Sequence, residues 1–98
     1  MSDANFLHLS GRVGSGAIFP VLDNIEEKIR NAMSDVGISF RAPGIDMVQV
    51  VIRWNKDGIR FYHLTWSLSV EEIAFARYDI AERILDHLEK ARGVARAQ

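Results

Sequence analysis

The chain reads as a small single α+β domain in the order α-β-β-β-α, with a central antiparallel β-hairpin and two helices packed on one sheet face. Three observations predict it. Val48 to Trp54 and Ile59 to Trp66 alternate in polarity around the turn residues Asn55-Lys56-Asp57-Gly58, the pattern of a hairpin. Leu22, Ile25, Ile29, Ala32, Met33 and Val36 recur at helical spacing before it. After it, Ser69 and Glu72 form a capping box that opens a second apolar-periodic segment.

Residues 1–18 read as a flexible N-terminal arm or a short strand at 5–9, followed by a Gly-rich loop. That loop, Ser10 to Gly16, is rich enough in glycine to serve as a tether. Residues 19–93 make the domain. Its first helix starts between Pro20 and Asp23, since proline suits a first helical position. Gly37 is the expected stop. Ile38 to Arg41 is a short strand, and Ala42-Pro43-Gly44 turns the chain into the hairpin.

Within the hairpin, Asn55, Asp57 and Gly58 suit a type I turn closed by a left-handed glycine. That three-residue loop pairs Asn55 with Ile59, Ile52 with Tyr62 and Val50 with Leu64. Closure over Asp57-Gly58 alone instead places Trp54 opposite Phe61. Alternation assigns Val48, Val50, Ile52, Trp54, Tyr62, Leu64 and Trp66 to the core face. The other face collects Met47, Gln49, Val51, Arg53, Ile59, Phe61, His63 and Thr65.

The second helix runs from the Ser69 cap to Gly93, with Leu68 stapled onto Ile73. Glu71 and Glu72 suit its positive end, and Lys90 and Arg92 its negative end. Ile73, Ile80, Ile84, Leu88 and Ala91 centre its buried stripe. Arg77 falls in that stripe, either with its stem buried and its head at the edge or as a guanidinium held for a carboxylate. Residues 94–98 read as a frayed tail.

Composition bounds the function. The 98 residues carry 12 basic and 13 acidic side chains, a net charge of −1, so the strong positive field of a general nucleic-acid binder is absent. There is no cysteine, which removes disulfides and thiol chemistry and fits a cytoplasmic chain. No long apolar run indicates a signal peptide or a membrane span. His8, His63 and His87 lack metal-ligand spacing, and His63 reads as a hydrogen-bonded structural residue. The serines read as loop or cap residues, without a nucleophile motif. The expectation is no enzyme, no cofactor and no metal.

Two family resemblances arise. Gly11-Arg12-Val13-Gly14 is similar to the G-x-x-G loop of KH domains, yet too few residues precede it for that family's first helix. The α-β-β-β-α order over residues 20–92 resembles double-stranded RNA-binding domains. Where that family places a basic cluster at the last helix, this chain has Val70-Glu71-Glu72-Ile73-Ala74. The resemblance implies an outline of the architecture alone.

The function expected is therefore a non-enzymatic protein–protein interaction module, an adaptor or inhibitor of a larger complex, and a homodimer. Phe75, Tyr78, Asp79 and Glu82 are the candidate contacts for an outside protein, since an aromatic pair on an acidic helix suits an interface. Met47, Val51, Ile59 and Phe61 are the candidate dimer face. The alternative is nucleic-acid binding through Arg12, Arg41, Arg53, Lys56 and Arg60, with Phe61 and Phe40 available to stack on bases.

Overall fold

The computed structural model describes residues 18–44, 46–75 and 79–95. Helix α1 spans Ile18–Ala32, strands β1, β2 and β3 span Gly37–Arg41, Met47–Asn55 and Phe61–Ser69, and helices α2 and α3 span Val70–Phe75 and Ile80–Arg92. The strands form one antiparallel sheet in the order β1-β2-β3. The α-β-β-β-α order expected from the sequence is the order observed. The N-terminal arm, the Gly-rich loop with Arg12, and Arg77 and Tyr78 lie outside the described residues.

Helix α1 begins two residues before Pro20, which sits in the first turn, where its missing N–H breaks no helical bond. Its end differs from the expectation. The helix stops at Ala32, one further bond runs from the Met33 N–H to the Ile29 carbonyl, and a turn at Met33–Val36 follows. Gly37 is not a helix cap; it starts β1 opposite Arg53.

The capping box closes as expected. Glu72 N–H donates to Ser69 Oγ (3.1 Å) and Ser69 N–H donates to Glu72 Oε1 (3.2 Å). Val70 N–H also donates to the Asp46 carbonyl, which ties the start of α2 to the entry of β2. The second helical segment is divided into α2 and α3 and is not one continuous helix over the described residues. Gly93 ends α3 with a positive φ of 67°, its N–H donating to the Glu89 carbonyl, a conformation that glycine adopts without Cβ strain.

The hairpin register is displaced by two residues from the preferred expectation and by one from the alternative. Trp54 faces Tyr62, Ile52 faces Leu64 and Val50 faces Trp66. The cause lies in the turn. Gly58 N–H donates to the Asn55 side-chain oxygen, and Lys56 N–H reaches the Arg60 carbonyl. The Asn55 side chain thus nucleates a wider loop, with left-handed Gly58 (φ 76°) at its middle, and Ile59 and Arg60 stay outside the ladder. A shift of two residues keeps every strand side chain on its expected face.

All three helices lie against one sheet face. Val48, Val50, Ile52 and Leu68 from that face join Leu22, Ile25, Ile29, Ile73, Ile84 and Leu88 in one buried cluster. Each such aliphatic side chain contributes about 1.5–3 kcal/mol on leaving water. Ala91 departs from its expected place at the centre of the stripe and is exposed. The other sheet face has no helix of the described residues on it.

Candidate functional site

The sheet face that none of the described helices covers is built from the alternate positions of three strands. Ser39 lies opposite Val51 and Arg41 opposite Gln49. Thr65 lies opposite Val51, and His63 opposite Arg53. Phe61 stands at one end opposite Asn55, and Met47 at the other opposite Ser69. An open concavity of about 700 Å³ lies over the face, lined by Arg41, Gln49, Arg53, Phe61 and His63 among others.

Charge divides between the two layers. Arg41 and Arg53 are the formally charged residues of the three strands, and no carboxylate lies among them. Lys56 and Arg60 add positive charge in the hairpin loop, beside one carboxylate, Asp57. Carboxylates outnumber cations on the helices, with Asp23, Glu26, Glu27, Glu71, Glu72, Glu82, Asp86 and Glu89 against Lys28, Arg30, Arg83, Lys90 and Arg92. There Glu26 pairs with Arg30 (2.9 Å) and Asp79 with Arg83 (2.7 Å).

The residues expected to form a dimer face do not converge. Met47 and Phe61 stand at opposite ends of β2, separated by roughly 26 Å of extended strand. Val51 is buried at 7% exposure, between Ser39 and Thr65 of the flanking strands. Ile59 is 83% exposed but belongs to the loop. His63 is exposed on the open face, so the sequence reading of it as a structural residue is corrected.

On the helical side, Phe75 is 86% exposed at the end of α2. Asp79 and Glu82 flank the start of α3 and are both engaged within the chain, Asp79 with Arg83. Of the basic set, Arg41 and Arg53 share the open face, and Lys56 and Arg60 lie at the hairpin tip. Phe40 points to the core side opposite Val50 and is partly buried there, so it does not present its ring on the open face.

A second cluster was missed by sequence reasoning. Arg92 donates to both carboxylate oxygens of Asp35 (Nη1–Oδ1 3.0 Å) and contacts the Met33 sulfur at 3.3 Å. Its guanidinium lies 5.6 Å from the Trp54 ring centroid, within cation–π range. Trp54 in turn stacks on Tyr62, with centroids 6.1 Å apart. The hydrogen bonds from Arg92 hold the Asp35 carboxyl below its ordinary value; burial opposes them, and the Arg92 charge adds to the lowering. The partners lie 57 residues apart in sequence, which is why no local pattern announces them. His87 similarly meets Trp66 edge-on at 5.5 Å.

Among the described residues, no three His, Asp or Glu side chains gather in a metal-binding group, and no helix is long and apolar enough to cross a membrane. No protein-family model matches the chain, and no characterised protein or solved structure is detectably similar to it.

Proposed function

We propose that this protein is a non-enzymatic interaction module that docks its uncovered sheet face and hairpin tip onto an acidic surface of a protein partner. One observation carries the reading. The helices cover one side of the sheet, and the strand residues of the other side include Arg41 and Arg53 with exposed Phe61 and no carboxylate, while Asp35, which also lines the concavity, is paired with Arg92. Arginine and aromatic side chains are the residues most enriched at interface centres. A surface of one sign also steers a partner of the other.

Nucleic-acid binding is the second reading, favoured by Lys56 and Arg60 extending the same positive surface beside the exposed Phe61 ring. The two separate by experiment. Capture of partners on wild-type chain is compared with capture on Arg41→Glu/Arg53→Glu chain, and a fluorescent single-stranded oligonucleotide is titrated at low and moderate salt. The proposal expects a protein species lost from the double variant and no oligonucleotide binding. Binding that weakens steeply with salt moves the assignment to nucleic acid. Identical capture by both chains overturns the role of this face.

A further inference from the structure

β3 is an edge strand of unusual composition. It runs nine residues, Phe61–Ser69, with no proline, no glycine and no Lys, Arg, Asp or Glu. β2 is its one ladder neighbour among the described residues. Edge strands in monomeric proteins are ordinarily shortened, charged, bulged or covered, because their unpaired N–H and C=O groups template another strand. The opposite edge follows that rule, since β1 has five residues, opens on Gly37 and ends on Arg41. Among the described residues, β3 has none of these protections.

The core side of β3 is also incompletely covered. The β2 residues Val48, Val50 and Ile52 have no exposure, whereas their partners Leu64 and Trp66 are only partly buried and Tyr62 is exposed. The helical layer therefore seals the middle of the sheet and covers β3 only in part, through Leu68 and the edge-on contact of His87 with Trp66; Ile38 and Phe40 on the β1 flank are likewise partly buried.

We propose that a second copy of this chain covers the β3 flank, β3 pairing with β3 antiparallel about Thr65 and doubling the three-stranded sheet. This pairing is self-consistent residue by residue. With Thr65 on the two-fold axis, Leu64 meets Trp66, Tyr62 meets Leu68, His63 meets Ser67 and Phe61 meets Ser69 of the other copy. Core-side residues meet core-side residues, and no like charges are opposed. The buried strip is about 30 Å long and roughly 20 Å deep through both layers, about 600 Å² per copy. That total of roughly 1,200 Å² sits at the lower limit for a specific stable interface. The inference is independent of what docks on the open face, and dimerisation and partner capture fail separately.

Because the chain has no cysteine, single-cysteine variants report the geometry directly. In an antiparallel pair, Thr65 of each copy faces the other at ~4.5–5.5 Å between Cα atoms, a disulfide-compatible distance. Phe61 of the two copies stands roughly 26 Å apart. On mild oxidation, Thr65→Cys chain is expected to cross-link at least about tenfold faster than Phe61→Cys chain. Scattering-derived mass of the unmodified chain at tens of micromolar should be twice the monomer, reverting to monomer on Thr65→Lys, with the circular dichroism of the folded chain retained and a melting temperature lowered by the loss of the dimer. A monomeric wild type overturns the proposal, including one whose own residues 5–9 occupy the edge. So does a dimer that survives Thr65→Lys, or equal cross-linking at positions 61 and 65.

Discussion

Removal of the Asp35 carboxylate tests which partner of the Arg92 ion pair depends on the other. The Arg92 side chain is 7% exposed and the Asp35 side chain 60% exposed, so the two substitutions are not equivalent. Asp35→Ala leaves a nearly buried guanidinium with the Met33 sulfur and the Trp54 ring as its remaining named contacts. A charge-assisted pair of hydrogen bonds is worth about 1.5–3 kcal/mol when shielded. Solvent around the exposed carboxylate screens that towards the surface-pair range of about 0–1 kcal/mol. With the desolvation left on Arg92, whose Nε is already without a partner, the net cost is about 1–2 kcal/mol. For a domain of this size that lowers the melting temperature by roughly 5–10 °C. Arg92→Met keeps an apolar stem over Trp54 and removes the buried charge, so its cost stays below about 1 kcal/mol. The pH dependence has a definite sign. Asp35 titrates lower in the folded chain than unfolded, so its contribution is complete above about pH 4 and fades as pH falls through the folded value. Thermal melts of wild type, both single variants and the double variant, at pH 7 and near pH 3, measure all of these quantities. A larger loss for Arg92→Met than for Asp35→Ala, or a wild-type advantage undiminished at about pH 3, refutes the asymmetry.

Ser69→Ala removes the acceptor of the Glu72 N–H and should lower stability by about 1 kcal/mol, read as a shift of the urea midpoint at constant slope. Gly58→Ala forces a Cβ onto a residue at φ 76° and should cost about 1–2 kcal/mol although nothing crowds the site. Ile52→Ala opens a cavity at a fully buried position and should cost about 2–5 kcal/mol by urea unfolding. Ile59→Ala, in the exposed loop, should stay within about 0.5 kcal/mol. An Ile59 effect above 1 kcal/mol would return that residue to the packed ladder.

The sequence carried the fold further than it carried the site, for reasons visible in particular residues. The Ser69–Glu72 box and the Gly93 cap are local devices whose partners lie within four residues, so spacing alone reveals them. Face assignment on the strands was also legible, because alternation survives an even shift of register. The register itself was not legible. It turns on whether the Asn55 side chain captures Gly58, and that choice is coupled to packing Leu68 beside Val48. At the site, Arg41 and Arg53 are legible only as members of a basic set with Arg12, Lys56 and Arg60, because their common face depends on β1 joining β2, a pairing between separate segments. The burial of Val51 and the Arg92–Trp54 contact likewise come from tertiary neighbours.

The separation of charge between the layers has an electrical consequence for encounter. A chain with net charge −1 feels little overall pull from a distant partner. With a net positive balance on the strands and hairpin loop, and eight carboxylates against five cations on the described helices, it has a dipole moment across its thickness. A charged neighbour therefore exerts a torque on it before it exerts a net force. Against an acidic surface the sheet swings to the front, and against a basic one the helices do. That orienting influence reaches about one Debye length, roughly 8 Å at physiological salt, so it selects the pose of a chance collision more than the frequency of collisions.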